Sequence, residues 1–143
     1  MKAETIENIL NFLNEKEGKE VPDKWKLIKE LETHPDGTQY KHRGSLDLSD
    51  TNISKLPNDL YVDGHLVLRN CNQLTELPNN LYVKYGLILD RCKQLTELPN
   101  KLFVGDDLFL RGTIFATEYS DKEIKTIVKS TGGKIKGQII RYY

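Results

Sequence analysis

The stretch QLTELPN is read at residues 73 to 79 and again at residues 94 to 100. Outward from either copy a longer unit recurs: LDLSDTNISKLPNDLYVDGH from Leu46, LVLRNCNQLTELPNNLYVKYG from Leu66, LILDRCKQLTELPNKLFVGDD from Leu87, and a decaying LFLRGTIFATEY from Leu108. The unit starts lie 20, 21 and 21 residues apart, a period that belongs to stacked solenoids. A single unit of this size cannot bury its own apolar face, so the units must stack and share one continuous core. Whatever the chain does is then displayed on the surface of the stack.

Each unit opens on a very short strand, Leu46 with Leu48, Leu66 with Leu68, Leu87 with Leu89, and Leu108 with Leu110. The two-residue period of a strand turns these leucines inward and the residues between them outward. Ile53, Leu74 and Leu95 follow at the bend, and Leu56, Leu77 and Leu98 precede Pro57, Pro78 and Pro99. Proline lacks a backbone donor and disfavours helix in the residue before it, so the return arm is expected to be extended. Leu60 with Val62, Leu81 with Val83, and Leu102 with Val104 complete the buried side.

The flanks read differently. Ile6, Ile9, Leu10 and Leu13 fall at helical spacing before Gly18, which predicts a helix over residues 4 to 14. After Pro22, Trp25, Leu27, Ile28 and Leu31 predict a second helix that ends in the turn Thr33-His34-Pro35-Asp36-Gly37. At the other end Ser120 and Glu123 form a capping box for a helix whose face is Ile124, Ile127 and Val128, ending near Gly132-Gly133. KIKGQIIRYY then predicts one strand over residues 134 to 142 beside Leu108 and Leu110. Lys134, Lys136 and Arg141 would lie along its edge, where charge discourages unwanted pairing. The chain is thus expected to be one domain, with an N-terminal helical cap over 1–37, repeats over 38–119, and a C-terminal helix-strand cap over 120–143.

The repeat pattern resembles the leucine-rich repeat family, in the short leucine-proline type seen in bacterial secreted effectors and in bacteriophage-encoded proteins. The resemblance covers roughly residues 44 to 117. Its signature is carried by Leu48 with Thr51 and Ile53, Leu68 with Cys71 and Leu74, and Leu89 with Cys92 and Leu95. Thr51, Cys71, Cys92 and Thr113 stand where the family more often has asparagine, and the second and third units have one extra residue before the bend. The resemblance implies an α/β repeat fold, a short leucine-rich-repeat solenoid with a parallel β-sheet and a cap at each end. It also implies a protein-binding role, as an inhibitor or adaptor that occupies a bacterial or host protein, in the manner of a phage-encoded anti-defence component. Some effectors of this type carry a ubiquitin-ligase domain after the repeats. Only 23 residues follow Ser120 here, without a cysteine to carry a thioester, so that activity does not transfer.

Composition narrows the function classes. The 143 residues are 38% hydrophobic and 29% charged, as in an ordinary soluble domain. No apolar run is long enough to span a bilayer, and the acidic N-terminus is unlike a signal peptide, so a cytoplasmic protein is expected, in the host cytoplasm if phage-encoded. The formal charge is zero, yet residues 1 to 37 carry six Lys against nine Asp or Glu, and residues 121 to 143 carry six Lys or Arg against two acids. Nucleic acid is disfavoured, since no base-reading module accompanies that basic end. Cys71 and Cys92 have no CxxC partner and no histidines at zinc spacing, so buried thiols are expected and no metal or cofactor. His34, His42 and His65 are scattered, and neither GxSxG nor GxxxxGK[ST] occurs, so no catalytic residue is assigned.

The displayed surface remains. The outward strand residues form columns across the concave face: Asp47, Val67, Ile88 and Phe109 at the centre, Ser49, Arg69, Asp90 and Arg111 on one side, Ser45, His65, Gly86 and Asp107 on the other. Three adjacent apolar side chains rimmed by alternating Arg and Asp predict a protein-binding site of His65, Val67, Arg69, Ile88, Asp90, Asp107, Phe109 and Arg111. Intrachain cover of the same stripe is the competing account; a structural or self-assembling homodimer through the terminal strand is the alternative function, and an enzyme with an unrecognised pocket is the less favoured one. A further column, Tyr61, Tyr82 and Phe103, is expected to stack along the solenoid for structural reasons.

Overall fold

The computed structural model describes residues 23–141; the helix expected over residues 4 to 14 lies outside them. Helix α1 (Asp23–Thr33) turns Ile28 and Leu31 into the core. Glu32 accepts from the N–H and the hydroxyl of Ser54, each at 2.8 Å, and the Tyr40 hydroxyl donates to Glu30 at 3.3 Å. The helix is thereby fastened over the first repeat, as a cap on an open solenoid end must be.

Short parallel strands then build two five-stranded sheets. One contains Leu46–Asp47 (β2), Leu66–Val67 (β4), Leu87–Ile88 (β6), Leu108–Phe109 (β8) and Ile139–Ile140 (β10), stacked in that order. The other contains Lys41–Arg43 (β1), Tyr61–Asp63 (β3), Tyr82–Val83 (β5), Phe103–Val104 (β7) and Lys134–Ile135 (β9). The leucine pairs alone predict only the first sheet. The second arises because the residues just before each leucine strand, around Val62, Val83 and Val104, are themselves extended and in register with one another. The arms through Pro57, Pro78 and Pro99 contain no helix, in line with the extended arm expected there.

Both sheets and the arm point one column each into a shared core. Leu46, Leu48, Leu66, Leu68, Leu87, Leu89, Leu108 and Leu110 are all buried, facing Val62, Val83 and Val104 and backed by Ile53, Leu74 and Leu95. Burying one such side chain is worth about 1.5–3 kcal/mol, so the repeated leucines account for the stack's cohesion. The chain turns twice per repeat through left-handed residues: Asp50, Asn70, Arg91 and Gly112 at one corner, Asp59, Asn80, Lys101 and Gly132 at the other. Short polar residues and glycine suit that conformation; Arg91 and Lys101 do not.

The C-terminal segment departs from the expected single strand. After the fourth leucine strand the chain forms helix α2 (Ile114–Glu118), which buries Phe115, and then helix α3 (Asp121–Ser130) with the anticipated Ser120–Glu123 capping box. Ile124 and Val128 are buried, but Ile127 is exposed, so the covering face is narrower than Ile124, Ile127 and Val128 together. The segment after Gly132-Gly133 then splits at Gly137: Lys134 pairs with Phe103 in one sheet, and Ile139 pairs with Leu108 in the other. A Cβ at Gly137 would sit 2.6 Å from the Asp106 carbonyl oxygen, which is why glycine occupies that corner. The tail therefore repeats the corner of every earlier turn and adds a rung to both sheets.

Candidate functional site

The central column is assembled as its spacing predicts. Asp47, Val67, Ile88 and Phe109 are direct partners on successive strands, and Ile140 extends the column by one rung that the sequence reading omitted. Their exposure is uneven. Val67, Phe109 and Ile140 are half-buried, whereas Ile88 is only 7% exposed. Ile88 is thus not a free contact at the middle of the face. It lies between Val67 and Phe109 on adjoining strands, and the Phe109 ring reaches across the neighbouring Gly86, where an added Cβ would meet Cε1 at 3.5 Å.

The column of Ser45, His65, Gly86 and Asp107 is an internal hydrogen-bond ladder. The His65 N–H donates to Ser45 Oγ at 2.9 Å, the Gly86 N–H to His65 Nδ1 at 3.0 Å, and the Gln138 N–H to Asp107 Oδ1 at 2.7 Å. Each side chain satisfies a backbone donor of the next rung. His65 and Asp107, expected as partner contacts, therefore also carry the corner. Because His65 accepts at Nδ1, its ring proton is on Nε2.

On the other side Arg69, Asp90 and Arg111 occupy successive rungs, the Asn70 N–H bonding to Asp90 O at 3.0 Å and the Arg91 N–H to Arg111 O at 2.7 Å. Asp90 is buried at 5% exposure, Arg111 is half-buried and Arg69 is exposed. These residues, with Asn70 and Arg91, line a cleft of about 210 Å³. Arg91 was absent from the expected site because inward-outward alternation ends at the corner, so strand periodicity assigns it no face.

The aromatic column lies on the opposite sheet. Tyr61 and Tyr82 stack at 4.5 Å between ring centroids with planes 2° apart, Tyr82 and Phe103 at 4.5 Å and 4°, and Lys41 Nζ sits 4.9 Å from the Tyr61 ring. The inner ring faces are occupied by one another, which fits the structural role expected of them. The thiols also serve the stack. Cys71 Sγ donates to Leu48 O at 3.1 Å and Cys92 Sγ to Leu68 O at 2.8 Å, while Thr51 and Thr113 bond Leu48 O and Leu110 O at 2.7 and 2.6 Å. Both cysteines are buried thiols outside any disulfide, and burial pushes the Cys92 thiol up to about 12.

Arg141 is not an edge decoration. Its Nε pairs with Asp121 at 2.6 Å, and its terminal nitrogens donate to the carbonyls of Ala116, at 2.8 Å, and Tyr119. One guanidinium thus ties β10 to the junction of α2 and α3. Lys122 and Lys129 are exposed, while Lys125 Nζ reaches Gly137 O at 2.9 Å. Among the described residues no cluster of three His, Cys, Asp or Glu is placed to hold a metal, and no helix is long and apolar enough to cross a membrane. The fold and this face define a short parallel β-solenoid with a mixed apolar and charged sheet surface. The chain matches no protein-family model, no curated protein and no solved structure.

Proposed function

We propose that the protein is a non-enzymatic binding module that receives a partner protein on the outward face of the β2–β10 sheet. The observation that carries this reading is the placement of Val67, Phe109 and Ile140 in one half-buried column, with Arg69, Asp90 and Arg111 alongside on the same rungs. An apolar centre with a charged border is the anatomy of a protein interface, and a rigid ladder presents it with little ordering cost on binding. Its resemblance to leucine-rich repeat proteins of the effector and phage type supports an inhibitor or adaptor role, with a bacterial or host protein as the target. The cytoplasm is the compartment in which such a target and two reduced thiols are compatible.

Phe109 is the expected anchor. Its replacement by Ala should cost about 2 kcal/mol or more of binding, since interface energy concentrates in large residues near the centre. Quantitative affinity capture with wild type, Phe109→Ala and Tyr82→Ala tests this, each variant first shown to be folded. A partner that is lost with Tyr82→Ala but retained with Phe109→Ala would move the site to the opposite sheet.

A second reading has its own observation: among the described residues β9 and β10 end their sheets, each paired on one side only. Such edges invite a second copy. Sedimentation equilibrium separates the readings, because assembly through the terminal strands gives a dimer that Phe109→Ala leaves intact.

A further inference from the structure

The cleft beside the central column is lined by three arginines, Arg69, Arg91 and Arg111, and by one acidic residue, Asp90. Three positive charges against one negative leave a local formal charge of +2 on a chain whose total is zero. The backbone ladder fixes the spacing, because Arg69, Asp90 and Arg111 stand on successive rungs about 4.8 Å apart. Asp90 is buried on the rung between Arg69 and Arg111.

Arg91 enters from the corner. Its φ of 59° is a left-handed value that arginine adopts at a cost, and its stem passes over Gly112, where an added Cβ would meet Arg91 Cγ at 3.0 Å. The equivalent corner two turns earlier holds a side-chain pair, Asn70 Nδ2 to Asp50 Oδ1 at 2.7 Å. At Gly112 that side chain is missing, and Arg91 takes the space. The ion pairs Lys84–Asp63 and Arg141–Asp121 do not involve Arg69 or Arg91.

We propose that this cleft is an oxyanion subsite that takes a carboxylate or phosphate group borne by a side chain of the partner protein. Planar guanidiniums bind such groups through paired N–H donors, and a concave site strengthens those bonds by excluding water. The proposal rests on the reading of this face as a partner-binding surface and names the chemistry of what it receives. A nucleic acid strand fits less well. It needs a basic track with ring faces for its bases, whereas this charge is confined to one cleft and the stacked rings lie on the other sheet.

Titration of the full chain with inorganic phosphate at constant ionic strength, followed through the arginine Nε–Hε NMR signals, tests the subsite. Saturable shifts at Arg69 and Arg91 are expected. Arg91→Gln should weaken binding by about tenfold, as loss of charged hydrogen bonds does. Gly112→Asn should weaken it too by filling the space of the Arg91 stem, and Lys122→Gln should leave it unchanged. Shifts that chloride reproduces, or that saturate with unchanged affinity in Arg91→Gln, overturn the proposal. Short peptides carrying glutamate or phosphoserine identify the source: preference for either supports the subsite and names its anion. Binding of a single-stranded oligonucleotide through the same arginines, with neither peptide bound, overturns it. The two readings can also fail separately. Phosphate binding with partner capture untouched by Phe109→Ala keeps the subsite and removes the face, while the opposite pair of results removes the subsite alone.

Discussion

At the scale of single residues, the two left-handed corners separate amino acids that suit the backbone from those that burden it. Asp59 and Asn80 occupy one corner and are linked at 2.7 Å, whereas Lys101 holds the same place with φ 56°. Asparagine tolerates this conformation and lysine does not, so Lys101→Asn is expected to stabilise the protein by about 1 kcal/mol. Calorimetry should show a midpoint raised by about 3 °C; a lower midpoint would mean that Lys101 makes a compensating contact. Cys92 gives a second residue-scale expectation. Its folded value of about 12 lies above the ordinary 9.0, so the unfolded chain releases the proton first as pH rises. Its contribution is therefore complete below pH 9 and lost progressively between about 9 and 12. Replacing both cysteines by Thr, the residue already present at Thr51 and Thr113, should leave the fold intact and make stability fall less steeply over that window. An identical alkaline slope in chemical denaturation, or collapse of the double variant, would contradict this account. Ile88, by contrast, is unsuitable as a probe of binding alone: its burial means that Ile88→Asp disturbs the fold as well as the face.

At the scale of elements, the C-terminal helices show how a repeat is closed without another proline arm. The step between equivalent positions lengthens from 21 residues, Leu87 to Leu108, to 31, Leu108 to Ile139, and α2 and α3 fill the difference. Arg141 is the tie. Its bonds to Ala116 and Tyr119 take up carbonyls at the end of α2, and its pair with Asp121 holds the start of α3. Arg141→Gln is expected to cost about 2 kcal/mol, the typical worth of hydrogen bonds to a charged group. Amide exchange should accelerate in α2 before it does in β4 or β6; uniform acceleration would show that the whole stack depends on this contact. Removal of residues 120 to 143 goes further. It strips a rung from each sheet and uncovers Leu108 and Leu110, so aggregation or unfolding is expected, read by light scattering and circular dichroism.

At the scale of the whole molecule, stability is propagated from rung to rung, because among the described residues each strand pairs only with the equivalent strands before and after it. Deleting residues 67–87 would join Leu66 directly to Ile88 and preserve the inward-outward alternation, since Leu66 pairs with Leu87 and Val67 with Ile88. The shortened chain is expected to fold cooperatively with a lower urea midpoint, as loss of one repeat and one interface requires. A chain that no longer folds would show that the turns are not interchangeable. The same deletion removes Val67, Arg69 and the aromatic partner Tyr82, so it also dismantles the proposed binding face.

The repeat, its period and the inward set are written in the order of residues alone. Leu46, Leu66, Leu87 and Leu108 are legible because strand alternation is a local property, and the prolines announce an extended arm because their restriction acts on the adjacent residue. The five-fold recurrence of the corner was equally present, in KHRGSL from Lys41 and KIKGQI from Lys134. Both copies lie outside the leucine period, so the first and last rungs of the second sheet are harder to recognise. Which outward residues are truly outward depends on long-range contacts. Ile88 is covered through neighbours on other rungs, Arg141 is drawn back by carbonyls 22 and 25 residues away, and Arg91 joins Arg69 and Arg111 because a corner turns it toward them. Alternation assigns a side chain to a face. What covers that face depends on parts of the chain a full turn away.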